Sequence, residues 1–254
     1  QDILKSDNKI AILGMGVEGI AIKDFLVKHE FANLTLCDEK SDLAQYKSDF
    51  SIQTGSNAFE DLSQFDVIFR SPGIHKNNVN LQEALKNGKI VTSATKLFFE
   101  ICPCKIIGIT GTKGKGTTSS LIYEILRAAN KNVFLGGNIG NCPLTFVDNL
   151  NENSIAILEM SSFQLHDLKQ SPNISIVLNT TRDHLDYHAD VEEYLTAKET
   201  IVSNQAVDDF AIFNADYPYA NRYSKLTSGK VLWVSKNKDK IKNKFDGGYL
   251  DNDK

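Results

Sequence analysis

No stretch of this chain approaches the ~20 consecutive apolar residues that a helix needs to cross a bilayer. Its start also lacks the apolar core of a secretory leader. Neither a membrane-spanning nor a secreted protein is expected. An excess of basic charge is missing as well. The formal net charge is −4 and the sequence pI is about 5.8, which argues against a surface made to coat nucleic acid. Lys and Arg are dispersed except in the run 236–244, which reads as a solvated loop. Cysteine is scarce. Cys37, Cys102, Cys104 and Cys142 form no zinc-type pattern, and Cys102-Pro103-Cys104 is too tight for a relaxed disulfide. Free thiols in a reducing cytoplasm are the expectation. Internal repeats and low-complexity segments are absent too. What is left is an ordinary globular composition, 41% hydrophobic and 24% charged. Its 254 residues suffice for two domains or one large α/β domain.

The chain is organised around residues 106–118, Ile-Ile-Gly-Ile-Thr-Gly-Thr-Lys-Gly-Lys-Gly-Thr-Thr. An apolar, β-branched run stops at a glycine-rich turn, and a helix-forming segment, Leu121–Leu126, follows. That order is strand, phosphate loop, helix. Glycines let successive N–H groups point into one concavity, and the helix N-terminus adds positive potential. Lys115 is placed to put its ammonium on β/γ-phosphates, and a hydroxyl just after it to ligate Mg²⁺. The match to G-x-x-x-x-G-K-[ST], with Gly108 and Gly114 read as its glycines, is imperfect. Gly116 follows the lysine, and the hydroxyl arrives one place late, at Thr117. A plain glycine-rich turn is the alternative, but strand, glycines, lysine and hydroxyls coincide here.

Ahead of this loop, Lys9–Leu13 reads as a buried strand, and Gly14-x-Gly16-x-x-Gly19 turns it into a helix over Ile20–His29. A second strand, Leu34–Cys37, ends on Asp38, at about the distance where an acid meets a ribose hydroxyl. A lone G-x-G-x-x-G reports only tight backbone approach, so an NAD-type site and a plain strand-ending acid both stay open. Phe65–Arg70 is the next strand, closed by Ser71-Pro72-Gly73, where a type II turn with positive φ at Gly73 is predicted. A helix over Val79–Asn87 with Gly88 as its cap and a strand Ile90–Thr92 follow. Periodicity lapses near Pro103, which sets the expected domains at 1–100 and 101–254.

Beyond the loop, Asn132–Leu135 is a short strand running into Gly136-Gly137-Asn138-Ile139-Gly140, backbone held close to a ligand or another loop. The strand Ser154–Leu158 ends at Glu159, where a phosphate-loop enzyme often keeps a Mg²⁺ ligand or water-positioning group. Ile174–Leu178 leads to a polar cluster, 179–188, in which His184 and His188 would share one face of a helix. Two His with nearby Asp bind a divalent metal, though such a pair is commonly incidental. In the helix Val191–Ser203, Tyr194, Leu195, Ile201 and Val202 form an apolar stripe, and Lys198 reads as a solvated charge. Strands Phe210–Asn214 and Val231–Val234 follow with no closing helix. The expected fold is α/β: a Rossmann-like nucleotide-binding domain, then a P-loop-type central domain with a mostly parallel sheet.

In combination and in order, these motifs resemble the Mur ligase family over essentially the whole chain. They are Gly14-x-Gly16-x-x-Gly19, Ser71-Pro72-Gly73, residues 111–118, Gly137 to Gly140, Glu159 to Leu165, Asn179 to Asp186, and Ala197-Lys198. The resemblance implies an ATP-dependent amide-bond ligase of peptidoglycan precursor synthesis. It lies nearest the branch that adds D-glutamate to UDP-N-acetylmuramoyl-L-alanine through an acyl phosphate. Such an enzyme is expected to be a cytoplasmic monomer acting on small molecules, with no nucleic-acid or membrane partner. On this resemblance the first domain holds the UDP of the substrate rather than NAD, with Val17, Glu18, Asp38, Glu39, Lys40, Ser71 and Gly73 along the nucleotide. Gly111, Thr112, Lys113, Gly114, Lys115, Gly116, Thr117 and Thr118 would hold the ATP phosphates. Thr117 (with Thr118 in reserve), Glu159, His184 and Lys198 would serve two Mg²⁺ ions. Asn138, Ser161 and His184 would face the muramoyl-alanine part, and Lys115, His184 and Lys198 are the expected catalytic residues. Lys198 matches the lysine that carries a carbamate in these ligases, a change from cation to metal-bridging carboxylate.

Two departures bear on the resemblance. Gly116-Thr117 looks like the loop of folylpolyglutamate synthases, which share the central domain but lack this N-terminal one. The family's C-terminal domain, which closes over ATP and binds the incoming amino acid, has no counterpart here, so a fragment is expected. The rival readings are an NAD-dependent dehydrogenase built on residues 1–100, a folylpolyglutamate-synthase-like ligase, and a non-catalytic UDP-sugar-binding module.

Overall fold

A computed structural model of the chain describes residues 4–40, 42–138, 140–166, 168–181, 183–184, 187–241 and 247–249. Ile139, three members of the polar cluster (182, 185 and 186) and the end of the lysine-rich run lie outside them. The chain divides into two compact units, Gln1–Ile101 and Cys102–Lys254.

The first unit runs β1 (Ile10–Leu13), α1 (Val17–Lys28), β2 (Leu34–Asp38), β3 (Ser51–Thr54), β4 (Val67–Arg70), α2 (Val79–Lys86), β5 (Ile90–Thr92), α3 (Ala94–Ile101). Its strands lie in the order β3-β2-β1-β4-β5, every pair parallel. This is a doubly wound order. The chain works outward from β1 on one side and returns to its other side, which opens a crevice past the carboxyl ends of β1 and β4. All residues of β1 and β4 are buried, and strands covered on both faces read as unbroken apolar runs. β3 carries no such run, because it is a half-exposed edge strand. α3 starts one residue after β5, and the Ser93 hydroxyl accepts the Lys96 N–H (3.2 Å) at its start.

The turn after β4 differs from the expected one. The Ile74 N–H donates to Ser71 O (3.0 Å), but Gly73 is not among the residues with positive φ. The turn is therefore type I, with Pro72 still supplying its fixed φ, and no left-handed conformation demands the glycine.

The second unit contains β6 (Lys105–Thr110), α4 (Lys115–Ala128), β7 (Val133–Gly137), β8 (Ile155–Glu159), α5 (Ser162–Leu165) and β9 (Ile174–Val177). It continues with α6 (Val191–Ser203), β10 (Phe210–Asn214), α7 (Ala220–Tyr223), β11 (Lys230–Ser235) and β12 (Gly247–Tyr249). Its seven described strands are parallel, in the order β12-β11-β10-β9-β6-β8-β7. Register aligns their ends: Glu159 pairs with Ile109 on one side and Gly137 on the other, and Thr110 pairs with Val177. The carboxyl ends of β7, β8, β6 and β9 thus form one rim. α4 lays Ile122, Tyr123 and Leu126 over Ile107, Ile109 and Ile157. α6 packs against β6 and buries Tyr194, Leu195, Lys198, Ile201 and Val202.

Helices α1, α2 and α4 end alike. In each, the second residue past the last helical one donates from N–H to the carbonyl one residue before that last one, and the third past it to the carbonyl two before. That is a Schellman closure, which needs a left-handed residue. Here it is Glu30 (φ 63), Gly88 (φ 74) and Asn130 (φ 57). Among the described residues no helix is long and apolar enough to cross a membrane.

Candidate functional site

In the second unit, β6 stops at Thr110 and the chain turns through Gly111 to Gly114 into α4. Gly111 (φ 150) leaves no room for a side chain, since a Cβ would lie 2.7 Å from Leu178 Cβ. Gly114 (φ 88) is the N-cap of α4 and has no side-chain partner for the helix amides, which leaves the first turn open to an anion. Gly108 belongs elsewhere. It lies six residues before Gly114, where the pattern asks for five, and a Cβ there would meet Pro172 at 2.3 Å. Its glycine answers to packing on β6, not to the phosphate loop.

Thr112 shapes the loop from within. Its N–H donates to Asn179 O (2.8 Å). Its hydroxyl donates to Thr181 O (3.0 Å), accepts the Thr181 N–H (2.8 Å) and lies 2.9 Å from Tyr194 OH. Expected among the phosphate-binding residues, it has both polar hydrogens engaged inside the protein. Lys115 Nζ donates to Thr112 O (3.2 Å), and Lys113 and Thr117 are exposed beside it. Thr118 is half-buried in the first turn of α4, where Gly116 also lies.

Lys198 is where the structure departs most from its sequence context. It is 2% exposed, and its Nζ donates to Thr110 Oγ1 (3.2 Å) and Gly111 O (3.4 Å). The Tyr194 ring lies 4.8 Å from Nζ. Burial, then the positive charge of Lys115, pull its pKa down from 10.5 to about 7, with Asp183 and Glu159 opposing. A solvated helix lysine was the expectation from periodicity; the side chain instead sits under the phosphate loop. One signal was available: position 198 falls inside the stripe 194, 195, 201, 202 that the periodicity marks as buried. Tyr194, one helical turn earlier, was legible only as apolar bulk, yet its hydroxyl reaches Thr112.

Glu159 ends β8 and is 3% exposed. One carboxylate oxygen accepts from Asn138 Nδ2 (3.0 Å). The other, Oε2, is buried and has no hydrogen-bond partner among the described residues. The Asn138 N–H also donates to Glu159 O (2.8 Å). Gly137 (φ 106) permits this contact, because a Cβ there would lie 2.2 Å from that carbonyl oxygen. The second glycine turn is thus held against β8. Ser161 serves as N-cap of α5 in a capping box with Gln164. His184 is exposed, with left-handed φ 51, and meets the Phe163 ring edge-on at 4.9 Å. His188 is buried and bonds Ser162 instead. The two imidazoles do not share one face: His184 takes a left-handed backbone and is exposed, whereas His188 is buried.

In the first unit the glycine turn divides its labour. Gly19 lets α1 sit on β1, since a Cβ there would lie 2.0 Å from Gly14 O, and Gly14 takes φ 84. Gly16 has neither reason: its φ is −76 and its Cβ position faces open space. Asp38 is buried, its carboxylate accepting the N–H groups of Met15 (2.6 Å) and Lys40 (2.8 Å). It thereby ties the glycine turn to the end of β2, with Glu39 exposed next to it. The Ser71 hydroxyl donates to Gly14 O (2.8 Å) across the crevice. Val17, Glu18 and Gly73 lie on the rim of the same crevice, at the start of α1 and in the turn after β4.

Fold and loop together define an α/β protein of the phosphate-loop class, preceded by a Rossmann-like unit. The chain belongs to the Mur ligase family: residues 109–250 match the Mur ligase middle domain and residues 8–93 the MurD-like N-terminal domain of Mur ligases. It is 36% identical to the UDP-N-acetylmuramoylalanine–D-glutamate ligase of Clostridium novyi (strain NT), over 98% of this chain and 55% of that protein. It is 34% identical to the ligase of the same name from Acetivibrio thermocellus, over 91% of this chain and 51% of that protein. The chain thus spans about half the length of the curated relatives it matches. Among solved structures, the UDP-N-acetylmuramate:L-alanyl-γ-D-glutamyl-meso-diaminopimelate ligase of Neisseria meningitides shares the fold, with TM-score 0.60 at 18% identity, over 89% of this chain and 78% of that one. A murein peptide ligase from Psychrobacter arcticus does so with TM-score 0.55 at 17% identity, over 89% of this chain and 53% of that one.

Proposed function

We propose that the protein containing this chain is an ATP-dependent ligase that joins D-glutamate to UDP-N-acetylmuramoyl-L-alanine, a cytoplasmic, monomeric enzyme of peptidoglycan precursor synthesis. The relatives' names supply the reaction. The observation that carries it to this chain is the buried Lys198 beside the phosphate loop, next to a buried carboxylate with an unused oxygen. Membership of the Mur ligase family sets aside the dehydrogenase reading of residues 1–100.

In this reading the crevice of the first unit takes the uridine nucleotide, with Gly16 leaving room for backbone approach and Val17, Glu18, Asp38, Glu39, Lys40, Ser71 and Gly73 around it. ATP lies at the start of α4, its β/γ-phosphates against the amides of residues 113–118 and the Lys115 ammonium. The alanyl carboxylate attacks the γ-phosphorus, ADP leaves, and the D-glutamate amine then attacks the acyl carbon, so that phosphate departs from a tetrahedral intermediate. Glu159 fits a Mg²⁺ ligand, since its buried Oε2 lacks a partner among the described residues, with Thr117 and His184 as further ligands. Bound Mg²⁺ would stabilise charge on the transferring phosphoryl group. Asn138 orients Glu159 through its amide, and Asn138, Ser161 and His184 face the muramoyl-alanine end.

Lys198 has a chemical reason to carry a carbamate. Only the neutral amine attacks CO₂, releasing one proton as the N–C bond forms. At an ordinary pKa of 10.5 roughly one lysine in three thousand is neutral at pH 7. At about 7 the share is near half. The resulting carboxylate would give Lys198 a negative charge suited to hold a second Mg²⁺.

The test is phosphate release by the full-length protein with UDP-N-acetylmuramoyl-L-alanine across candidate amino acids, D-glutamate giving the signal. Lys115→Ala should abolish ligation and leave binding of the UDP substrate intact. Undiminished turnover in that variant would reject the scheme.

A further inference from the structure

We propose that His188 is a positioning residue for this site. Its buried imidazole, acting through Ser162, sets the spacing between the strand end carrying Glu159, the turn carrying His184 and the helix carrying Lys198. The inference rests on the reading in which those three residues hold Mg²⁺. No step of the proposed reaction uses His188 itself.

The geometry points there from several sides. The His188 side chain is 0% exposed, and Nε2 lies 2.9 Å from the hydroxyl of Ser162. Ser162 is itself buried, at the first position of α5 and three residues after Glu159. The backbone N–H of His188 donates to His184 O (3.0 Å), which closes the turn that presents His184. Its ring stacks on Phe163 (5.8 Å, 17°), and Phe163 also meets the His184 ring. On α6, Tyr194 lies edge-on to His188 (5.5 Å, 68°), one helical turn before Lys198. Glu193 Oε2 is 3.9 Å from Nδ1, and Glu193 is held in turn by the Ala189 N–H (2.7 Å) and His166 (3.2 Å). His188 is thus joined by its backbone to the turn of His184, while its imidazole meets α5, which follows Glu159, and α6, which carries Lys198.

A purely apolar side chain would fill the same volume but would leave the buried Ser162 hydroxyl without this bond, which costs free energy. Glutamine keeps an amide near the place of Nε2. That difference makes the role testable apart from bulk. Mn²⁺ is the probe, bound to the full-length protein with a non-hydrolysable ATP analogue. Free Mn²⁺ is read by electron paramagnetic resonance, and the melting temperature of the metal-free protein is measured alongside. His188→Leu and Ser162→Ala should each weaken Mn²⁺ binding about tenfold, the scale of losing an outer partner of a metal site. The double variant should be no weaker than His188→Leu alone, and His188→Gln should recover most of the affinity.

Parent-like Mn²⁺ affinity in His188→Leu and Ser162→Ala would overturn the inference, as would His188→Gln no better than His188→Leu. A lowered melting temperature with unchanged Mn²⁺ affinity would show packing only, and would overturn it too. Glu159→Gln separates this from the underlying reading. If it binds Mn²⁺ like the parent, the metal assignment falls and this inference with it. If it loses Mn²⁺ while the two variants do not, only the inference falls.

Discussion

Replacing Lys198 by Met should stabilise the metal-free protein at neutral pH while ending its activity. Lys198 has a folded pKa of about 7 against 10.5 unfolded. Below pH 7 both states are protonated, and the folded state carries the full cost of the buried ammonium, roughly 5 kcal/mol from that difference. Between 7 and 10.5 only the unfolded state holds the proton, so the cost falls by about 1.4 kcal/mol per pH unit and vanishes near 10.5. Met removes this cost together with the donations to Thr110 Oγ1 and Gly111 O, worth about 1 kcal/mol each. Thr110 is not orphaned, because its hydroxyl still donates to Met160 O (2.9 Å). The net gain is about 3 kcal/mol at pH 6–7, declining to nothing near pH 9. Urea midpoints of full-length protein in EDTA and CO₂-free buffer measure it, followed by the fluorescence of Trp233, the one tryptophan of this chain, on β11 of the same unit. A loss of stability at pH 7, or a gain that stays constant from pH 6.5 to 9.5, would refute the account.

Four further outcomes follow from backbone and loop geometry. Gly16→Ala should leave the first unit's stability unchanged, since its Cβ meets nothing within 4 Å, and should weaken UDP-substrate binding at least about tenfold in calorimetry if a ligand approaches there. Gly19→Ala, whose Cβ would lie 2.0 Å from Gly14 O, should unfold or strongly destabilise the first unit, seen by circular dichroism. Glu30→Gly should stabilise that unit by about 1 kcal/mol, seen as a higher urea midpoint, because Glu30 holds φ 63 without the freedom of glycine. Thr117→Val should raise the Mg²⁺ concentration for half-maximal ligation, and Thr118→Val should do so less; the reverse order would move the metal hydroxyl to Thr118.

The elements legible in the sequence are those whose cause is local or doubly buried. β1, β4, β6 and β8 lie covered on both faces, so each appears as an apolar run, and the turns after β1 and β6 as glycine clusters. β3 and β12 escaped because an edge strand, paired on one side and partly exposed, needs no such run. The turn at Gly73 was misjudged for a related reason. Pro-Gly allows both turn types, and here Gly73 does not take positive φ while the Ile74 N–H closes the turn on Ser71 O, which makes it type I.

The sequence by itself determined the phosphate loop, with its hydroxyl displaced to Thr117, and the family to which the chain belongs. Motif order and spacing are properties of the chain, and they survive without coordinates. Only the tertiary structure decided what the polar residues face. Lys198 looks solvated until α6 is laid against β6, when it comes under Thr110 and Gly111. Thr112 looks available to phosphate until the 179–181 segment takes its hydrogens. His184 and His188 look like a pair until a left-handed residue sends one to the surface and the other into the core. Burial, and the pKa and hydrogen-bond debts that come with it, arise from which elements meet across the sheet, and local spacing does not encode that meeting.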